Sequence, residues 1–240
     1  MQFDPVILRD SIKTRGYHVG LRFAPTATFD KAHRQSFQLK LSEGFDWRRQ
    51  DFGEKAWVLL SPQAEGDPRS HTKLTLQPDT LNFEEFFPIS PLDAFCDTLK
   101  LALEGTAAVF GPRVVLGSGA MIRLTTSVPG DDARVFLGNR CLHLDDRLAV
   151  IGRPVHAVGL RLVLPPTAEM VSGGAPWQAE VRIESLVEDV RQLFVEVDTK
   201  WLAPCPWSPE TIVERLRAAH EFAVEKMLNF LEQFEPPVGG

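Results

Sequence analysis

The stretch LGNRCLHLDD (137–146) holds the residue types best suited to chemistry. Along a strand, Cys141, His143 and Asp145 share one face, with Leu142 and Leu144 on the other. A Cys–His–Asp row offers a thiolate with its base and orienting acid, or three metal ligands. Along a helix, Leu137, Cys141, Leu144 and Leu148 form an apolar stripe instead. Cys141 is then core and His143 points elsewhere. Asp131 and Asp132 are natural helix caps just ahead of this stretch, which favours the helix. Side chains at i, i+2 and i+4 of one strand are also too spread out for a compact triad.

Carboxylates form a second candidate. Glu84-Glu85 is one pair, and Glu180, Glu184, Glu196 and Asp198 lie on apparent strands. Two carboxylates about 5–10 Å apart can share acid–base work at a glycosidic bond, and clustered oxygens can bind Mg²⁺ or Ca²⁺. Arg161, Arg182 and Arg191 are interleaved with these acids, the pattern of a solvated sheet face neutralised by cross-strand pairs. LGSGAMI (116–122) contains Gly-x-Gly but continues as a strand. A dinucleotide site needs a helix N-terminus there, so the glycines fit a bulge or bend. Trp177, Trp201 and Trp207 cluster in the second half. Trp201 and Trp207 flank LAPCP just before the last helix, the expected place for an exposed aromatic patch. The terminal Gly-Gly matches the end of a ubiquitin-like modifier, but nothing else in the chain does, and frayed tails are commonly Gly- and Pro-rich.

These residues belong to a chain of 240, 44% hydrophobic and 24% charged, with net charge −6. Such a composition supports a sizeable core. The diffuse acidic balance argues against nucleic acid and anionic membranes, since phosphate recognition needs clustered Lys and Arg. Cys96, Cys141 and Cys205 form no CxxC pair and no zinc spacing. The opening MQFDPVILRDS lacks the apolar core of a secretory signal, and no apolar run reaches about 18 residues. A reducing, cytoplasmic protein without membrane insertion is expected, with no cofactor.

Period-two alternation marks Tyr17–Phe23 as a strand, and Thr28 or Asp30 can cap a short helix through Phe37. Strands follow near Trp47–Phe52 and Ala56–Leu60, then a polar loop at 61–70. A hairpin runs from Leu74 and Leu76 around Pro78-Asp79 to Leu81 and Phe83. PISP (88–91) announces a helix with Ser90 as cap and Pro91 in its first turn. Leu92, Phe95, Leu99 and Leu103 form its buried stripe. The second half repeats this order. Val114–Leu116 and Met121–Thr125 read as strand, and Asp131-Asp132 caps a short helix. Strands then run through Val158–Leu164, Val181–Ile183 and Leu193–Val197, with a loop at 167–176. PWSP (206–209) announces the last helix, with a stripe of Ile212, Leu216, Ala219, Ala223, Met227, Phe230 and Phe234.

Echoes at one common offset support a duplication. Leu21-Arg22-Phe23 answers Ile122-Arg123-Leu124, and Asp30 and Ala32 answer Asp131 and Ala133. The arrangement resembles duplicated α+β folds of the TATA-binding-protein or helix-grip type, which implies a curved antiparallel sheet cradling long helices. The layout also resembles a sporadically distributed bacterial family of uncharacterised proteins. The resemblance lies in an opening strand like HVGLRF, a later strand like RPVHAVGLRLVLPP and a closing helix like AAHEFAVEKMLNFLEQF. It implies no catalytic residue.

The sequence therefore predicts an α+β protein built as one pseudo-symmetric unit. An arm (1–14) precedes two similar halves, 15–112 and 113–235, and a tail (236–240) follows. The expected function is non-enzymatic. The protein self-associates or docks a protein partner through the last helix, with Trp201, Trp207, Phe230 and Phe234 as contacts. The alternative is an enzyme or small-molecule binder with a pocket on the concave sheet face, lined by Glu184, Glu196 and Asp198.

Overall fold

The computed structural model describes residues 9, 11–42, 44–65, 67–128, 130 and 132–234, with the side chains of residues 145 and 146 left aside. The expectations for most of the arm, for the tail and its Gly-Gly, and for Asp131 lie outside these residues.

Alternating apolar residues dictate long strands, and ten form one antiparallel sheet. The first seven elements are β1 (Lys13–Ala24), α1 (Lys31–Ser42), β2 (Arg49–Phe52), β3 (Trp57–Leu60), β4 (His71–Gln77), β5 (Thr80–Phe86) and α2 (Leu92–Phe110). Next come β6 (Val114–Ser127) and α3 (Ala133–Val135), which widens into a π-helical turn at Phe136–Cys141 and leads to a 3-10 stretch at Asp145–Ile151. β7 (Gly159–Leu164), α4 (Ala168–Ser172), β8 (Gln178–Ser185), β9 (Gln192–Trp201) and β10 (Cys205–Pro206) follow. The last helix runs as α5 (Pro209–Glu221), a π turn at Phe222–Met227, and α6 (Leu228–Glu232). The sheet order is β2-β3-β4-β5-β1-β6-β9-β8-β7, with β10 pairing β6. The fold is α+β, as expected.

The long helices cover one face. Tyr17 and Phe83 meet Phe95 of α2 at 5.1 and 5.2 Å between ring centroids. Trp57 meets Phe37 of α1 and Phe110 of α2. In the second half Val181, Ile183, Val195 and Val197 are fully buried, as are Leu216, Ala219, Ala223 and Leu228 of the last helix. Strand side chains alternate between faces, so this packing assigns the intervening residues to the opposite face. No described helix is long and apolar enough to cross a membrane.

Three local expectations need correction. The loop at 167–176 contains α4, capped by Thr167 accepting from the Met170 N–H. The two strand pieces expected in 114–125 are one strand of 14 residues. Its register against β1 shifts between Arg22 and Phe23, opposite Gly117 and Val115, so the Gly-x-Gly does sit beside a bulge. Ser208 caps α5 and Pro209 opens it, but α2 starts one residue later than its tetrapeptide suggests. Pro91 itself is the cap residue, with ψ 162°, and Ser90 supplies no cap.

Candidate functional site

The helix-free face of the sheet carries His18, Gly20 and Arg22 of β1, Gly117, Gly119, Met121 and Arg123 of β6, and Glu196 and Asp198 of β9. Its centre is low because Gly20 and Gly119 are directly paired across β1 and β6. A Cβ on Gly20 would stand 2.9 Å from Asn82 Oδ1, and one on Gly119 would stand 2.9 Å from the Thr199 carbonyl oxygen. Side chains are therefore excluded here by close neighbours. The result is a trough of 540 Å³ floored by these glycines and Gly117 and walled by His18, Arg22, Asn82, Asp198, Lys200 and Leu202.

The acids of this face are held by bases. Glu196 accepts from Arg123 Nε at 2.8 Å and lies 3.4 Å from Arg182 Nη1. Glu180 is gripped by Arg161 and Arg182, which pull its carboxyl down to about 2. Asp198 pairs with Lys200 at 2.8 Å. Glu184, on β8, faces Phe194 of β9 and Gly159 of β7. Glu184, Glu196 and Asp198 thus share the helix-free face, two of them neutralised by cations. Acid–base catalysis by a carboxylate pair needs one group held protonated beside one ionised. Glu180 and Glu196 are both engaged by guanidinium groups.

A second cavity, of 630 Å³, lies further along the face. Arg15, Arg69 and Arg123 line it with Glu188, Asp189 and Glu196, and Phe86, Phe87 and Phe194 supply its rings. Arg69 is bound through two nitrogens to Asp67, at 2.9 and 2.7 Å, and holds that carboxyl down at about 2. Arg123 is bound to Glu196. Arg15 differs: its Nε donates to Thr125 Oγ1 at 2.9 Å and its Nη2 to Gln192 Oε1 at 3.4 Å, both neutral acceptors. Among the described residues no carboxylate pairs with it. Phe87 lies beside it in a left-handed conformation, φ 46°. Bulky side chains avoid that region, and it persists only where surroundings enforce it. The enforcing contacts are the Phe87 N–H to the Arg15 carbonyl at 3.0 Å and the guanidinium groups of Arg69 and Arg15, 4.1 and 5.9 Å from its ring centre.

The Cys–His–Asp stretch is neither a strand nor the continuous helix the caps favoured: a π turn ends at Cys141, His143 lies outside any helix, and a 3-10 stretch begins at Asp145. Asp132 accepts from the Arg134 N–H. Burial pushes the Cys141 thiol up to about 11, unsuited to a thiolate nucleophile. His143 is exposed, with φ 52°. No three His, Cys, Asp or Glu among the described residues gather as metal ligands.

Trp201 is 4% exposed; it packs on Trp177 at 5.8 Å, with Arg215 5.5 Å over its ring. Trp207 is half-buried against Phe23 at 5.6 Å, and its Nε1 is buried with no hydrogen-bond partner among the described residues. Phe230 and Phe234 meet edge to face at 5.3 Å at the end of the last helix and stay half-buried.

Sequence reading passed over Arg15, Arg69 and Phe87. The doublet Phe86-Phe87 was the available signal, since strand alternation cannot bury two successive rings on one face. No protein-family model matches the chain, and no curated protein matches it.

Proposed function

We propose that this is a non-enzymatic binding protein whose helix-free sheet face receives a small organic anion carrying a planar ring. The carrying observation is Arg15, a guanidinium that meets no carboxylate among the described residues, set in a 630 Å³ cavity beside Phe86, Phe87 and Phe194. A carboxylate or phosphate takes the fork of Arg15, and the rings offer faces for stacking. The volume suits a small-molecule ligand. Titration calorimetry with benzoate, phenyl phosphate and inorganic phosphate tests this. Saturable binding of the ring-bearing anions is expected, weakened at least tenfold by Arg15→Gln. Equal affinity for inorganic phosphate, or no effect of the substitution, would sink the reading.

A second reading, docking of a protein partner or a second copy, is favoured by the end of the last helix. Phe230 and Phe234 keep partial exposure there, Trp207 keeps it at the opposite end just before the helix starts, and Trp201 is buried. A monomer by light scattering at micromolar concentration, with no partner in a pull-down, counts against it.

We also infer that the two halves are copies of one unit. Support comes from the strand order, which runs outward from the β1–β6 pair as β5-β4-β3 and the extra edge strand β2 on one side, and as β9-β8-β7 on the other. Each half also ends in a long helix. Hydrogen exchange that is slowest at β1 and β6 and rises alike toward both edges is expected. Protection confined to one half would speak against it.

A further inference from the structure

A separate cavity lies on the other side of the sheet, under the start of α2. It measures 220 Å³ and is lined by β4, β5, the loop after β3 and the first turns of α2. Glu85 lines it and makes no hydrogen bond or ion pair among the described residues. Its only resolved perturbation is loss of water, which pushes the carboxyl up to about 7. Ser70 and Thr72, 4% and 8% exposed, also line it, and neither hydroxyl finds a protein partner among the described residues. A carboxyl and two hydroxyls without a protein partner among the described residues thus line one cavity and offer their oxygens to a donor. Phe45 and Phe95 complete the wall.

We propose that this cavity is a second binding site, for a small organic ammonium ion held by Glu85 and the Ser70 and Thr72 hydroxyls. Among the described residues no lysine or arginine lines the cavity, and Glu85 is its one carboxylate. A cation therefore meets complementary charge beside two phenyl rings. An ammonium group has three donors for three open acceptors. A divalent metal would want several more oxygen ligands from carboxylates or carbonyls. The charged and titratable neighbours are His71 in the same wall and Tyr17, whose strand pairs with Glu85.

The experiment is a titration of the whole protein with n-butylammonium, n-butanol and potassium chloride at pH 8, followed by the ¹³C signal of the Glu85 carboxyl. Saturable n-butylammonium binding in the millimolar range is expected, with the Glu85 titration moved to lower pH, no binding of n-butanol and none of K⁺. Thr72→Val should weaken binding several-fold, and Glu85→Gln at least tenfold. Arg15→Gln should leave it unchanged, which separates this site from the anion site. Equal response to n-butanol, saturation by K⁺ alone, or a Glu85 signal that ignores n-butylammonium would each overturn the proposal. The carboxyl signal of the unsubstituted protein gives that answer even if Glu85→Gln fails to fold.

Discussion

Glu85 and Glu180 are both strand glutamates, one in each half of the chain, and their carboxyls go opposite ways. Glu85 sits at the end of β5 on the helix-covered side, partly stripped of water and without a cation, and is pushed up to about 7. Glu180 sits on the helix-free face between Arg161 and Arg182 and is pulled down to about 2. One residue type thus reports two environments: desolvation with no partner favours the neutral acid, and two guanidinium groups favour the anion. The contrast also separates the two sides of the sheet. Among the described residues the helix-free face carries most of its charge in pairs and leaves Arg15 uncommitted. The covered side hides one acid.

The largest way to break the comparison of halves is to damage each core. Phe83→Ala in the first half removes a ring with 0% exposure and should cost about 3–5 kcal/mol. Ile183→Ala in the second, also 0% exposed, should cost about 2–5 kcal/mol. Because β1 and β6 pair over most of their length, each substitution should lower a single unfolding transition in denaturant. Two separate transitions would mean that the halves fold independently.

The pH dependence comes next. Folded Glu85 holds its proton up to about 7, whereas the unfolded side chain releases it near the ordinary value of 4.5. The folded state binds more protons between these values, so stability falls as pH rises from 4.5 to 7 and stays reduced above. Glu85→Gln should therefore be more stable than the parent at pH 8 and lose that slope. Glu180 has the opposite sign: its contribution is present above 4.5 and is lost as pH falls toward 2. Glu180→Gln should flatten only that acid limb. Denaturation midpoints from pH 2 to 8 check both.

Smaller still is the comparison of guanidinium groups. Arg15→Gln should weaken a ring-bearing anion at least tenfold, about 1.4 kcal/mol. Arg161→Gln, already committed to Glu180, should leave that binding unchanged. The smallest effect concerns the helix starts. Ser208→Ala should cost about 1 kcal/mol because the Ser208 hydroxyl accepts the Thr211 N–H at 3.1 Å. Ser90→Ala should stay within about 0.5 kcal/mol, because Ser90 caps nothing. Thermal melts of the two variants decide it.

Much of the fold was legible because burial writes its period into the chain. Tyr17, Val19, Leu21 and Phe23 alternate, and all four are buried. Phe95, Leu99 and Leu103 recur at helical spacing, and all three are core. The acids of the sheet face were legible as a cross-strand pattern with arginines, and Glu180 and Glu196 are held in that way. Arg15 and Phe87 were not legible. The meaning of Arg15 depends on Thr125 and Gln192, 110 and 177 residues away along the chain, and that of Phe87 on the guanidinium groups of Arg15 and Arg69.

Local sequence alone thus determined where strands and helices form, since alternation, helical stripes and turn residues act over a few positions. The repeated Pro-x-Ser-Pro marks the edge of that power. The same pattern places the cap at Pro91 in one copy and at Ser208 in the other. Tertiary structure alone decided that Arg15 pairs with no carboxylate, and Glu85 with no cation, among the described residues. Charge pairing and desolvation act between residues brought together by the sheet, at separations that no local pattern encodes.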